Sequence, residues 1–166
     1  MPTILYPPTI DWDFMFQRPQ QILRQFGLNG WNVLYGNMSH GKEGPDRVFP
    51  NIEIIKNWEA FLTEEREVDI FYATWAKSVE HLDKVRCKCI IYDSLDDFPD
   101  WRKYEPSMIG SSDLVLTTSQ VLFEKRKQEH PHVFLVRNGC CRSVIGTTYN
   151  RPRELAGLKG PIVGFV

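Results

Sequence analysis

The spacing of the apolar runs restricts this chain more than any other feature. Thr3–Tyr6, Trp31–Tyr35, Ile52–Ile55, Val68–Ala73, Cys87–Tyr92, Asp113–Thr118 and Val133–Val136 are strand-sized, and their starts lie roughly 16 to 28 residues apart. An all-β sandwich places its strands every ~8–12 residues, whereas these intervals hold a crossover of at least ~10 residues. Several runs are apolar throughout, as strands of a parallel sheet covered on both faces are. The expected fold is therefore α/β, a doubly wound, mainly parallel Rossmann-like sheet of about seven strands.

The connections carry helix punctuation. Arg18-Pro19 opens the clearest helix, because a proline in the first turn leaves no amide hydrogen unpaired and its fixed φ suits the start. Ile22, Leu23 and Phe26 make its apolar stripe, and Gly30 supplies a left-handed stop. Ser119 is a good N-cap for a helix that carries Leu122 and Phe123 and ends before Pro131. Trp58–Glu65, Ser78–Lys84 and Lys103–Gly110 read as further helices, and the glycine- and proline-bearing segment Gly36–Pro50 as a loop.

A chain of 166 residues supports one such core and not two full domains. Its 20 basic and 21 acidic side chains give a net charge of −1, so no overall field draws nucleic acid or an anionic membrane, and no nucleic-acid partner is expected. No apolar run nears the ~18 residues of a spanning helix, and Met1–Tyr6 lacks the pattern of a signal peptide, so the expected compartment is the cytoplasm. Cys87-x-Cys89 and the adjacent Cys140-Cys141 match neither a redox pair nor zinc knuckles. No metal is expected, and Cys87 and Cys89 read as neighbours on one face of a strand.

Doubly wound sheets bind ligands outside the carboxyl ends of their strands, where strand order reverses. After the first run stand Asp11-Trp12-Asp13-Phe14 and Phe16-Gln17-Arg18-Pro19. Carboxylates grip hydroxyl pairs and aromatic faces stack on sugar rings, so this loop either lines a carbohydrate site or packs down on the sheet with its acids in water. Arg18, at a helix amino terminus, either attracts a phosphate or carboxylate or pairs at the surface with Asp11 or Asp13. Tyr6-Pro7-Pro8-Thr9 stands where a GxGxxG turn would hold a dinucleotide, and no cofactor is expected. Trp75 is either a crevice wall or a core residue.

Past the fifth run, Asp93, Asp96, Asp97 and Asp100 fall within eight residues. Three readings stay open: contact with a substrate, with one acid as general base if its pKa is raised; a Mg²⁺ site; or a turn whose carboxylates cap backbone amides. Asn138-Gly139 follows the seventh run as a tight turn or a site rim. Lys125-Arg126-Lys127 complements its helix dipole or forms a membrane-docking patch. His40, His81, His130 and His132 lack ligand spacing and receive no catalytic role. The tail, from Pro152 through Gly160-Pro161 to Ile162–Val166, reads as a linker and a new strand, so the chain is expected to be the front part of a longer protein.

Taken in order, Asp11-Trp12-Asp13 with Gln17-Arg18-Pro19-Gln20, the Tyr92-Asp93 block ending in Asp96-Asp97, Asp113–Ser119, and Asn138-Gly139 before Leu155–Val166 resemble one group. It is the amino-terminal domain of GT-B glycosyltransferases of the group-1 (family-4) type, nearest to bacterial enzymes of teichuronic-acid-like or cell-envelope polysaccharide synthesis. The resemblance implies that residues 1–150 form an acceptor-binding domain. It implies that residues 151–166 are the linker and first strand of a carboxyl-terminal domain that grips a nucleotide-sugar donor. It further implies metal-free transfer with retention to a saccharide or lipid-linked acceptor, by a chain inactive on its own; peripheral contact at the inner face of a membrane is an expectation that rests only on the basic run Lys125-Arg126-Lys127. On that scheme Asp96 is the catalytic candidate, with Asp93 and Asp97 beside it on the floor. Asp11, Trp12, Asp13, Arg18 and Trp75 line the substrate side, and Ser119 and Asn138 form the rim. The alternative is a non-catalytic Rossmann-like module that binds a sugar or a protein. The chain departs from the group at Pro7-Pro8, in place of a glycine-rich turn. It departs again at Leu95-Asp96, where relatives carry a histidine, and at Cys140-Cys141, where they carry an aspartate.

Overall fold

The computed structural model describes residues 1–39, 47–64, 66–139, 151–160 and 162. Its elements run β1 (Thr3–Tyr6), α1 (Arg18–Leu28), β2 (Asn32–Gly36), β3 (Arg47–Phe49), β4 (Ile52–Ile55), α2 (Trp58–Leu62), β5 (Glu67–Ala73), β6 (Arg86–Ser94), α3 (Glu105–Ser111), β7 (Leu114–Thr117), α4 (Gln120–Arg126) and β8 (Val133–Leu135). Short 3-10 segments cover Ala76–Lys84, Pro99–Trp101 and Arg153–Leu155. The strands form one sheet in the order β3-β4-β2-β1-β5-β6-β7-β8. Every neighbouring pair is parallel except the edge pair β3–β4.

All seven expected runs are strands, and an eighth lies where a loop is expected. β3 closes a hairpin on β4, with Arg47 opposite Glu53 and Phe49 opposite Ile52. Asn51 turns that hairpin at φ 64, a left-handed conformation that asparagine tolerates better than most residues. The expected helix over Ser78–Lys84 is instead 3-10 and starts at Ala76, and α2 stops at Leu62. The remainder of the Gly36–Pro50 loop at 40–46, including His40, lies outside the described residues, as do Glu65, Cys140-Cys141 and all of the expected last strand but Ile162.

Strand alternation divides the core in two. Leu5, Leu34, Phe71, Ala73, Tyr92 and Val115 face α2, α3 and the Ala76–Lys84 segment, meeting Trp58, Phe61, Met108 and Ile109. Ile4, Tyr6, Val33, Tyr35, Ile52 and Tyr72 face the other side, meeting Trp12 and Leu23. Of the described helices only α1 contributes to that second core, and beyond its reach Phe134 on β8 is 51% exposed. Gly27 lets α1 lie close, since a Cβ there would fall 3.0 Å from Ile52 Cγ1 and 3.1 Å from the Pro50 carbonyl oxygen. α1 also keeps its start and stop. The Gln17 amide donates to Gln20 Oε1 at 3.1 Å, Pro19 sits in the first turn, and Gly30 takes φ 84 just past the end.

Strand order reverses between β1 and β5. Their ends are tied there by a 2.7 Å hydrogen bond between the Tyr6 and Thr74 hydroxyls. Burial pushes the Tyr6 phenol up to about 12, so it stays neutral.

Candidate functional site

The site is built around the end of β6, where Asp93 and Ser94 point to opposite faces. Asp93 is fully buried and would be an expensive charge without partners. Arg18, at the start of α1, supplies them as a fork. Its Nε donates to Oδ2 at 2.7 Å and its Nη2 to Oδ1 at 3.1 Å. Tyr72 on β5 adds a short hydroxyl hydrogen bond to Oδ2. Burial is the largest single influence and works against the Arg18 charge, but the hydrogen bond to Asp93, the Asp93 charge and Tyr72 together outweigh it and hold the guanidinium pKa above its ordinary value. Burial and then the Asp93 charge push the Tyr72 phenol far up, fixing it as a donor. The partner of Arg18 is thus Asp93, 75 residues away in sequence, and neither Asp11 nor Asp13.

The remaining Nη1 of Arg18 donates to Asn138 Oδ1 at 3.2 Å and to the Arg137 carbonyl at 3.4 Å. This clamp joins α1 to the segment that follows β8. Between them opens a crevice of about 750 Å³, lined by Gln17, Arg18, Gln21, Ile22 and Gln25 from α1 and its cap. Leu95 and Asp96 after β6, Thr118 after β7 and Val136–Gly139 after β8 complete the lining. The Thr118 hydroxyl donates to the Leu95 carbonyl at 2.8 Å, drawing the β6 and β7 exits together beneath Asp96. Asp96 is exposed and is the only carboxylate among the described lining residues.

Of the residues the sequence singles out, Arg18, Asp96 and Asn138 meet in this crevice, and Asp93 lies beneath it, held by Arg18. The others lie elsewhere. Asp11 is buried, accepting from the Ser39 amide at 2.8 Å and the Ser39 hydroxyl at 2.6 Å. Trp12 is 5% exposed and packs edge-on to Tyr35, Phe16 and Phe49. Asp13 is exposed on the same loop, outside the crevice. Asp97 faces Lys125 at 2.9 Å, and that bond lowers its carboxyl pKa. Ser119 caps α4, accepting from the Leu122 amide. Trp75 lines a different cavity, at the β1–β5 reversal.

The run Lys125-Arg126-Lys127 is not a surface patch. Arg126 is 1% exposed and bonded to Ser94, Glu129 and Glu105, Lys125 holds Asp97, and the Lys127 ammonium lies 5.3 Å from the Phe123 ring centroid. No helix among the described residues is long and apolar enough to cross a membrane.

Several residues that shape the crevice or its support carry no site role in the sequence, although Gln17 and Gln20 stand in its motifs. Gln17, Gln21 and Gln25 recur every four positions and stand in a row along one side of α1, a periodicity open to inspection. Gln20 is fully buried and donates to the Asp11 and Phe14 carbonyls, pinning the β1–α1 loop to its helix. Tyr72 carries no sequence signal beyond that of a strand aromatic.

Fold and site together define a Rossmann-like α/β domain with an open polar crevice at the carboxyl ends of β6, β7 and β8. No family model matches the chain, and no curated protein matches it significantly. Solved structures do match. A sucrose-phosphate synthase from Thermosynechococcus elongatus is similar at a TM-score of 0.57 and 14% identity, over 84% of this chain and 90% of that one. That similarity shows the fold: the chain has the architecture of a Rossmann-like half of a GT-B protein.

Proposed function

We propose that this chain is the acceptor-binding half of a glycosyltransferase that moves a sugar from a nucleotide-sugar donor to a saccharide, free or lipid-linked, in envelope polysaccharide synthesis. The carrying observation is the crevice at the carboxyl rim, where one carboxylate, one clamped guanidinium and a row of glutamines face open space. Side-chain amides and a carboxylate suit hydroxyl groups, which both donate and accept. The fold is consistent with this division of labour, and the donor falls to a second lobe outside residues 1–150.

In this reading Asp96 accepts a hydrogen bond from the acceptor and orients it, while Gln21 and Gln25 hold neighbouring hydroxyls. The acceptor oxygen bonds to the anomeric carbon of the donor. The bond from that carbon to the nucleoside diphosphate breaks with its electron pair on the phosphate oxygen. The hydroxyl proton passes to that same oxygen, on one face of the sugar, so configuration is retained. Arg18 does not touch the substrate through its Asp93 edge. It holds the rim at Asn138.

Transfer by the full native protein, compared with Asp96→Ala and Gln21→Ala, tests this. Loss of one charged hydrogen bond to the acceptor predicts a drop in kcat/KM of about ten- to a hundred-fold for Asp96→Ala. Unchanged transfer by both variants would discard the crevice as the acceptor site. A sugar- or protein-binding module without chemistry is the second reading. It is favoured by Phe14, Met15 and Phe16, which stand 57%, 54% and 46% exposed on the β1–α1 loop. Absence of transfer with retained saccharide binding at Gln21, Asp96 and Asn138 would select it.

A further inference from the structure

The charges of the α1 crevice are sorted by end. Asp96 follows β6, Thr118 follows β7, and Arg137 and Asn138 follow β8, strands that stand in that order along the sheet. The backbones of Asp96 and Arg137 are thus two strand spacings apart, roughly 10 Å of sheet. Both side chains are exposed and both residues line the crevice. They make no ion pair with each other, and among the described residues neither side-chain charge has another partner. The neighbouring rim charges, by contrast, are neutralised within the protein, Arg18 by Asp93 and Asp97 by Lys125.

Arg18 decides what the β8 end offers a ligand. Its Nη1 donates to the Arg137 carbonyl at 3.4 Å and to Asn138 Oδ1 at 3.2 Å. A guanidinium has five N–H donors and no acceptor, so the Asn138 atom that faces it is the oxygen. The carboxamide NH₂ is left unengaged among the described residues. What remains on these two side chains is donors alone, the Arg137 guanidinium and the Asn138 NH₂. The Asp96 end is the reverse, a carboxylate that only accepts. The amino terminus of the 11-residue α1, where the helix dipole is positive, meets the donor end through Arg18. The donor end is also held in place, since the Val136 amide donates to the Thr117 carbonyl at 2.8 Å just before Arg137.

We propose that the crevice selects an acidic saccharide, with its oxyanion, a carboxylate or a phosphate, seated on Arg137 and Asn138 and one of its hydroxyl groups donating to Asp96. This rests on the acceptor reading above and narrows it from saccharides in general to anionic ones. A hydroxyl at the β8 end would accept there but leave its own proton without a partner. An oxyanion only accepts, which suits a donor-only pair, and its charge-assisted bonds are roughly twice as strong as neutral ones. The guanidinium fork also matches the two oxygens of a carboxylate or phosphate. Reverse seating would set the oxyanion against Asp96, so the two charges fix the direction of the ligand as well as its class. A cationic sugar would reach Asp96 but face both guanidinium groups and the positive end of α1. At about 750 Å³ the crevice falls within the ~300–1,000 Å³ of small-molecule sites.

The test is an NMR titration of the ¹⁵N-labelled whole chain, following the Asn138 carboxamide and the Arg137 Nε–H resonances. The probes are methyl α-glucopyranoside, glucuronate and α-glucose 1-phosphate, the last two separating a carboxylate from a phosphate. At least one anionic probe is expected to bind about ten-fold more tightly than the neutral glucoside, the gain of a charge-assisted hydrogen bond, and this preference should shrink with added salt. Arg137→Gln should bring the anion down to the affinity of the glucoside and melt with the parent chain, because the side chain it replaces is exposed and unpaired. Asn138→Asp, which exchanges the NH₂ donor for a carboxylate oxygen, should also abolish the preference. Asp96→Ala should weaken the anionic sugar about five-fold, the loss of its hydroxyl contact. No binding of either anion, or a preference that survives both Arg137→Gln and Asn138→Asp, would overturn the assignment. So would an anion whose affinity depends on Arg137 and not on Asp96, which is a bare ion and not a seated sugar. Equal affinities for neutral and anionic probes, all weakened by Asp96→Ala, would overturn it while leaving the acceptor reading of the crevice intact.

Discussion

Two clusters of the same composition flank β6, and they differ in what they enclose. On one face Arg18, Asp93 and Tyr72 form an arginine–carboxylate–tyrosine group; on the other Arg126, Glu105 and Tyr92 form its counterpart. Arg126 ends α4, where the helix dipole favours a cation, and it is fully enclosed by Ser94, Glu105 and Glu129. Arg18 begins α1, where the dipole opposes a cation, and it keeps one edge at the crevice toward Asn138. The Arg126 cluster obeys this helix-end preference and joins α3, α4 and β6. The Arg18 cluster violates it, and such violations gather where a site is being shaped.

Substitutions can break that contrast. The largest effect is expected from Arg126→Ala, which strands Glu105 at 4% exposure and should cost about 3–5 kcal/mol in denaturant unfolding. Arg18→Ala should cost less, about 2–3 kcal/mol, because water entering from the crevice can solvate Asp93. Equal losses in the two variants would abolish the distinction between an enclosed and a rim cluster. Tyr72→Phe removes one hydrogen bond to Asp93 and is predicted to lower stability by about 1–2 kcal/mol by the same measurement.

The smallest effect concerns Asp97, outside the crevice and 36% exposed, whose carboxyl pKa is lowered by Lys125. Because its folded pKa lies below the unfolded value, its contribution is present above the unfolded pKa near ~3.9 and is lost as pH falls through the folded one. Asp97→Asn should flatten that part of the acid unfolding curve and change stability at neutral pH by less than ~1 kcal/mol. A larger loss at neutral pH would mean that Asp97 does more than anchor Lys125.

The fold was legible because its signals are local. Strand-sized apolar runs at helix-length intervals, Pro19 and Gly30 around α1, and Ser119 before α4 each act within a few residues. β3 carries no such signal, because Arg47-Val48-Phe49 is too short to show a period and gains its pairing only from β4. The site was legible in part. Asp96, Arg18 and Asn138 stand out as polar groups just past strands, but Asp11 and Trp12 carry the same outward signal and are packed away against Ser39 and Tyr35. Nothing in the linear pattern separates a carboxylate at a rim from one buried beside it.

By itself, then, the amino-acid sequence determined the alternation of strands and helices, the parallel sheet and the end of it where chemistry gathers, since each depends on periodicity and turn residues near in the chain. Only the tertiary structure decided that Arg18 belongs to Asp93, that Arg126 lies inside the molecule and that Arg137 and Asn138 share one crevice with Asp96. Those outcomes depend on which groups the sheet order brings together across long separations, where burial makes the pairing of each charge and each hydrogen-bonding group a matter of geometry.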